Sequence, residues 1–271
     1  MNFPEMKCCF KILALLCFLC ASVVSAFSLD REAFSFTSYD LTLQVDPEQH
    51  RLGVRGKITL RNDTATPQKI AVLQISSSLN WRSIKAADKA VQFVTQSYTS
   101  DIDHTGSLSE AIVTLPQAVE PRATIQLEIG YEGVILTDTT RLTRIGTPED
   151  AARSTDWDQI DPKFTALRGA GNVAWYPIAT DVANLSEGDS LFEVLARWKT
   201  REAGSRMHLQ IGLATTSEDR APDIFFNGLT CPANSVAAGQ SVSVNCLEQS
   251  LRLDSPTIVI ANYQLLMRPA I

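Results

Sequence analysis

Apolar and polar side chains alternate strictly along the stretch from Tyr39 to Asn62. Apolar residues recur at every second position through 39–45 and again through 52–60, and Asp46-Pro47-Glu48 separates the two runs. A period of two is that of a β-strand with one buried face, so the pattern predicts two antiparallel strands joined by a polar turn. An isolated hairpin is marginal in water, so the rest of the chain must supply further strands and a second layer.

Short runs with strand-like patterns continue to the end of the chain. Further strands are predicted at 69–75, 80–86, 90–98, 111–115, 125–131, 173–177, 192–198, 207–213, 224–227, 241–247 and 257–261. No stretch indicates a long amphipathic helix, and no fixed-period repeat is present. About a dozen short strands separated by turn residues predict an all-β protein, an antiparallel β-sandwich or saddle-like domain over residues 27–271.

A polar stretch at about 138–171 interrupts this pattern. It contains a predicted short helix near Pro148 to Arg153 and a tryptophan, Trp157, between two carboxylates, Asp156 and Asp158. Connections of this length are more often functional than idle. We therefore interpret 138–171 as a long connecting loop and Asp156, Trp157 and Asp158 as a candidate contact loop.

The first 26 residues have the composition of an export signal. Lys7 and Lys11 precede an apolar run, and Val24-Ser25-Ala26 offers small residues for cleavage. The alternative is an uncleaved membrane anchor, although the apolar run is short for a span of ~20 residues. The sequence predicts an exported protein, periplasmic or extracellular, with no membrane contact beyond this signal.

Charge excludes one class of partner. The chain has 24 Lys and Arg against 30 Asp and Glu, a formal net charge of -6, and removal of the leader makes it one charge more negative. Nucleic-acid-binding surfaces are basic, so we expect no nucleic-acid partner.

Cysteine usage predicts one disulfide. Four of the six cysteines lie in the leader, which leaves Cys231 and Cys246. In an oxidising compartment their spacing suits a bridge, which by the loop-entropy model contributes about 3 kcal/mol. A zinc site is the alternative, but two thiolates supply only half of a tetrahedral shell.

The sequence offers no catalytic or metal-binding motif. Its three histidines, His50, His104 and His208, are too far apart for H-E-x-x-H, which needs two histidines four positions apart. His104 lies in a segment that reads as a polar hairpin turn. The acidic residues at 156, 158 and 161 fail the calcium-loop pattern, and no G-x-S-x-G elbow occurs. We therefore predict no catalytic residue, no cofactor and no metal.

Several segments resemble the N-terminal β-sandwich domain of the aminopeptidase N family of zinc metallopeptidases. The segments, within Phe34 to Tyr263, are Tyr39-Asp40-Leu41-Thr42-Leu43 with Asp46-Pro47, Leu52-Gly53-Val54-Arg55-Gly56-Lys57-Ile58-Thr59-Leu60, Leu115-Pro116, Ala118-Val119-Glu120-Pro121, Ile125-Gln126-Leu127-Glu128-Ile129-Gly130-Tyr131-Glu132-Gly133 and Trp175-Tyr176-Pro177. The resemblance implies a saddle-like all-β domain that shields one side of a zinc-bearing catalytic domain. The family's G-x-M-E-N and H-E-x-x-H motifs have no match here, so no catalytic residue is carried over.

Two functions follow as hypotheses. The first is an exported, non-catalytic scaffold or docking surface for a peptidase catalytic domain or a peptide, as a shortened product, a split partner or a freestanding relative. The alternative is a freestanding envelope or extracellular binding module for glycans or proteins, with Trp157 in its contact loop. An enzyme that uses carboxylates alone is a third hypothesis, although the sequence defines no acidic pair.

Overall fold

The computed structural model describes residues 29–214, 222–232 and 242–263. The predicted leader and most of the segment between the two cysteines lie outside the described residues. Strands account for 51% of the structure and helices for 11%, which confirms the all-β class and fits a sandwich.

The described residues form fourteen strands and three short helices. The strands are β1 (Phe34–Asp46), β2 (Arg51–Asn62), β3 (Gln68–Ser76), β4 (Leu79–Ala86), β5 (Lys89–Ala90), β6 (Gln92–Thr99), β7 (Ser107–Val119), β8 (Thr124–Val134), β9 (Phe164–Leu167), β10 (Arg206–Leu213), β11 (Asp223–Phe226), β12 (Leu229–Thr230), β13 (Val242–Ser250) and β14 (Ile258–Ala261). The helices are α1 (Thr140–Arg144), α2 (Glu149–Thr155) and α3 (Ser190–Arg201).

The strands form three sheets. The largest has seven strands in the order β13-β10-β1-β2-β8-β4-β5, and the others have the orders β12-β11-β14-β9 and β3-β7-β6. The predicted leading hairpin is confirmed, since β1 and β2 pair antiparallel with Leu43 opposite Val54. Strand β1 also pairs in parallel with β10, which places the leading hairpin at the centre of the largest sheet.

One continuous hydrophobic core joins the three sheets. The inward residues of β1 and β2 are the alternating apolar ones, and Leu41, Leu43 and Leu52 are fully buried. The prediction of a strand at 173–177 is wrong, because this segment lies outside the strands. The segment is nevertheless buried, as the prediction expected. Two of its carbonyls accept hydrogen bonds from side chains, because the hydroxyls of Tyr39 and Tyr131 donate to Pro177 and Trp175 at 3.1 and 2.9 Å.

The predicted strand at 192–198 is wrong, because this segment belongs to helix α3. The residues that α3 buries are Leu191, Val194 and Trp198, which are spaced by three and four positions as on one helix face. Phe192, which the alternating pattern assigned to the core, is 67% exposed. Trp198 is buried as predicted, but on a helix.

Two other stretches differ in detail from their predictions. The run at 90–98 is divided between β5 and β6, which belong to different sheets. The stretch at 138–171 contains the predicted short helix as α2, together with α1 and the unpredicted strand β9, which pairs with β14. Within the described part of the chain, no helix is both long and apolar enough to cross a membrane.

Candidate functional site

The predicted contact loop lies directly after α2, and its three residues have different environments. Trp157 is 42% exposed, whereas Asp156 and Asp158 are buried. Asp158 accepts hydrogen bonds from the backbone N–H and the Nε of Arg168 at 2.6 and 2.7 Å. This corrects the prediction for the two carboxylates, which face the interior and hold the loop, so only Trp157 is available to a partner.

Trp157 is held in place from one side. The guanidinium carbon of Arg168 lies 4.0 Å from the centre of its ring, and the ring of Phe164 lies 6.0 Å away. Arg168 in turn is anchored by Asp158. The exposed aromatic ring is therefore part of a preorganised surface loop.

A buried group of charges, here called the Asp–His cluster, consists of Asp101, Asp103, His104, Arg141 and Asp156. The first three are fully buried and belong to the turn that joins the antiparallel strands β6 and β7. The predicted hairpin turn at His104 is therefore confirmed, but its side chains face the interior.

The donors around the cluster come from several parts of the fold. Asp103 accepts from Ser76 Oγ and from the Ala174 N–H, and Arg141 donates to the carbonyls of Asp101 and Gly171. The polar side chains of the turn after β6 therefore accept hydrogen bonds from backbone N–H groups far along the chain, such as that of Ala174.

The centre of this cluster is a charge-assisted pair. Nδ1 of His104 lies 2.9 Å from Oδ2 of Asp156, which also accepts the N–H of Asp138. Burial acts to lower the pKa of His104, but the hydrogen bond to Asp156 and the neighbouring carboxylates outweigh it, and the pKa is raised. Burial acts to raise the pKa of Asp156, and the His104 contact lowers it overall. The pair is therefore most stable as imidazolium and carboxylate.

The cluster joins two parts of the fold. The described residues contain no group of three His, Cys, Asp or Glu side chains arranged to hold a metal ion. Burial lowers the pKa of Arg141, which reflects the cost of keeping a guanidinium in the interior. The cluster fixes the turn after β6 to the 138–171 stretch.

A second group of charges lines an open groove on the outer face of the seven-stranded sheet, here called the charged groove. Its volume is about 1000 Å³. Its lining includes Thr42, Gln44, Arg51, Gly53, Arg55, Lys57, Arg82, Ser83, Lys85, Glu128, Gly130 and Glu132. Most of these residues alternate with core residues along β1, β2, β8 and β4, so they project from the side opposite the core.

Ion pairs cross the groove between neighbouring strands. Lys57 Nζ lies 3.8 Å from Glu128, Arg82 Nε lies 3.0 Å from Glu132, and Arg51 also pairs with Glu132. Between these two levels of ion pairs, β8 carries a glycine instead of an acid. This residue, Gly130, lies opposite Arg55 on β2 and opposite Ser83 on β4. The groove therefore has cation and acid at two levels and a cation without an acid at the level between them.

Sequence reasoning missed this groove. The outward positions of β2 and β8 carry charges at alternate positions, which was a visible signal. The pairing of Arg55 with Gly130 depends on the register between strands that are far apart in sequence, and the alternation alone does not define it.

The two cysteines of the predicted disulfide lie together. Their sulfur atoms are 1.98 Å apart and their Cα atoms 4.6 Å apart, which is a disulfide between the end of β12 and strand β13. Both residues are buried. The bridge lies on elements of two sheets and is remote in sequence from the groove-lining strands.

Comparison with known proteins identifies the fold. No family model and no curated protein matches the chain. Among solved structures it is similar to an M1 zinc metallopeptidase from Deinococcus radiodurans bound to a Tyr-Ser-Ala substrate, with a TM-score of 0.55 and 13% identity over 86% of this chain and 44% of that one. A two-domain M1 zinc metallopeptidase bound to L-tryptophan matches with a TM-score of 0.54, 12% identity and the same coverage.

These matches define the fold class. The chain has the fold of a part of the M1 zinc metallopeptidases, which confirms the resemblance inferred from its strand and turn motifs. It spans less than half the length of the structures it matches. At these identities the likeness concerns the fold alone.

Proposed function

We propose that this chain is an exported, non-catalytic β-sandwich domain that serves as a scaffold and docking surface for a zinc peptidase catalytic domain. The observation that carries the proposal is the unequal coverage of the match, 86% of this chain but 44% of an M1 peptidase. One of the matched proteins is described as two-domain, so a β domain of this fold has a natural partner there. The catalytic domain is carried on the same polypeptide or on another chain.

The sequence supports the non-catalytic part of the proposal. Zinc peptidases of this class bind the metal through a helix with two histidines four positions apart. In this chain His50 and His104 are 54 positions apart, and His104 and His208 are 104 positions apart. All three already have structural partners, since His50 Nδ1 lies 2.6 Å from the carbonyl oxygen of Ile160, His104 pairs with Asp156 and His208 with Asp40.

A cleft of mixed polarity that contains exposed apolar side chains supports the docking part of the proposal. It has a volume of about 600 Å³ and is lined by the end of β6, by α1 and its C-terminal neighbour Ile145, and by residues 182–186. Ile145 and Val182 are 41% and 53% exposed. Exposed apolar side chains around one concavity are typical of interaction sites, and a catalytic domain would bury them.

The proposal is tested by reconstitution. The chain is purified and mixed with each M1 catalytic domain encoded in the genome of its source, and complexes are measured by light scattering after gel filtration. We expect a one-to-one complex with one of them, weakened at least tenfold by Val182→Asp and unchanged by Leu253→Asp, a matched control on another exposed aliphatic residue. Hydrolysis of aminoacyl anilides by the chain alone, or no complex with any of these domains, would contradict the proposal.

Trp157 supports the second function, a freestanding module that binds glycans or envelope proteins. Its ring is exposed and fixed by Arg168, as in a stacking platform. The test is binding of the purified chain to an array of envelope glycans, with Trp157→Ala as the variant. Glycan binding that disappears in this variant favours the module over the docking domain.

A further inference from the structure

We infer that the charged groove is a binding site for an extended acidic peptide segment, with Arg55 as its anchor. This inference goes beyond the proposed docking role, because it concerns a different surface and requires no catalytic domain. It is carried by an interruption in the ion-pair pattern of the largest sheet.

The interruption lies on β8, the strand between β2 and β4. The outward residues of β8 in the groove are Glu128, Gly130 and Glu132, and both glutamates pair with cations on β2. At the level between them, Arg55 faces a glycine in the register of the sheet. The guanidinium of Arg55 has no ion-pair partner among the described residues.

The same glycine brings two side chains with donor groups to the backbone of β8. A Cβ atom added to Gly130 would lie 2.8 Å from Ser83 Oγ and 3.9 Å from Arg55 Cγ, so both side chains border the bare backbone of β8. A ligand carboxylate over Gly130 would take the position of the absent acid. Arg55 can bind it through two parallel N–H groups, and Ser83 can donate a hydroxyl hydrogen bond.

A second unpaired cation indicates an extended ligand. Lys85 is in register with Glu128 on the far side of β8, and the described residues offer it no ion-pair partner. Lys85 lies two strands away from Arg55 across the sheet and two residues further along it. The distance between their backbones is therefore roughly 12 Å. Two acids four positions apart in an extended peptide lie on the same face and span roughly 13 Å, about the same distance.

The charge of the groove differs in sign from that of the whole chain. Its lining contains five Lys and Arg residues against three Asp and Glu residues, whereas the chain has a formal net charge of -6. A locally positive concavity on an acidic protein selects an acidic partner. Nucleic acid would also respond to a positive groove, but the negative charge elsewhere on the chain opposes a long polyanion.

The experiment is a titration followed by fluorescence anisotropy. The probe is a labelled eight-residue peptide of glycine and serine with two glutamates four positions apart, and the control peptide has glutamine at both positions. We expect the acidic peptide to bind at least tenfold more tightly than the control peptide, and we expect added salt to weaken it. Arg55→Glu should reduce this binding at least tenfold, and Arg55→Lys should reduce it less.

Two further variants make the result specific. Lys69→Glu changes an exposed cation on β3, outside the groove, and should bind like the unmodified chain. Gly130→Glu inserts the absent acid and should abolish binding. If the new side chain at position 130 clashes with Ser83 and the single variant does not fold, the double variant Ser83→Ala, Gly130→Glu serves the same purpose. Circular dichroism establishes that each variant is folded.

Three outcomes would overturn the inference. These are equal binding of the glutamate and glutamine peptides, unchanged affinity in Arg55→Glu, and tighter binding of a single-stranded oligonucleotide than of the acidic peptide. Because no catalytic domain takes part, failure here leaves the reconstitution result for the docking proposal unaffected.

Discussion

The Asp–His cluster and the charged groove are built from similar side chains but are organised in opposite ways. In the cluster, Asp103 and Asp156 are buried and accept hydrogen bonds from fixed neighbours. In the groove, the ion pairs lie in solvent and Arg55 has no acid opposite it. Buried charges need ion-pair or hydrogen-bond partners within the chain because water does not reach them. An exposed cation is solvated by water and remains available to a ligand. The comparison teaches that the first region supports the fold and the second is available for binding.

Removal of Asp156 should have the largest effect on stability. Asp156→Ala leaves the imidazolium of His104 buried without its counter-charge, and we expect a loss of about 3–5 kcal/mol in the free energy of unfolding. Urea denaturation followed by circular dichroism measures it. The matched change in the groove, Glu128→Ala, should cost about 1 kcal/mol or less, because its ion pair is exposed. Equal losses for the two variants would contradict the contrast between the regions.

Glu202 sharpens the comparison, because it is a buried acid that prefers its proton. Burial raises its pKa to about 7, although Arg201 and Ser205 contact its carboxylate. A folded-state pKa above the unfolded value gives stability that is fully present below about pH 4.5 and is lost as the pH rises through about 7. Glu202→Gln removes the charge and should stabilise the protein at pH 8 by about 3 kcal/mol. Thermal unfolding of both proteins at pH 5 and 8 measures this gain, which should disappear at pH 5.

The His104–Asp156 pair should define a second pH dependence. The folded-state pKa of His104 is raised, so its contribution is present below pH ~6.5 and is lost as the pH rises through the folded value. The pKa of Asp156 is lowered, so its contribution is lost only in strong acid. His104→Gln should cost about 1–3 kcal/mol at pH 6 by leaving the buried Asp156 without a charged donor. It should also flatten the decline in stability above neutral pH, and an unchanged slope would count against the charged pair.

Trp157 should matter least for stability. Its ring is exposed and its main fixed contact is with Arg168, so Trp157→Ala should cost about 0.5–1 kcal/mol. Urea denaturation of this variant beside Asp156→Ala gives the comparison. A loss as large as that of the aspartate variant would make Trp157 part of the core rather than a surface residue.

The sequence predicted those parts of the fold in which one pattern dominates. The alternation in 39–62 identified the central hairpin, and the cysteine count identified the partners of the bridge. The same kind of alternation gave a wrong strand at 192–198. Phe192, Val194 and Trp198 are spaced by even numbers, as in a strand, whereas Leu191, Val194 and Trp198 are spaced by three and four, as on a helix. Short apolar runs are ambiguous in this way.

The candidate sites were harder to predict than the fold. The turn at His104 consists of residue types that normally face water, and its burial depends on backbone donors from segments far along the chain, such as Ala174. The charged groove depends on which residues of β2, β8 and β4 lie side by side. Both properties arise from tertiary contacts, which single-chain periodicity does not encode.

The most direct test of the contrast is a nuclear magnetic resonance titration of the labelled chain with the two-glutamate peptide. The amide signals of Arg55, Ser83 and Gly130 should shift as the peptide is added, while the indole signal of Trp157 and the amide of His104 stay in place. Shifts confined to Trp157 or to the Asp–His cluster, with the groove amides unmoved, would contradict the assignment of binding to the groove and of support to the buried cluster.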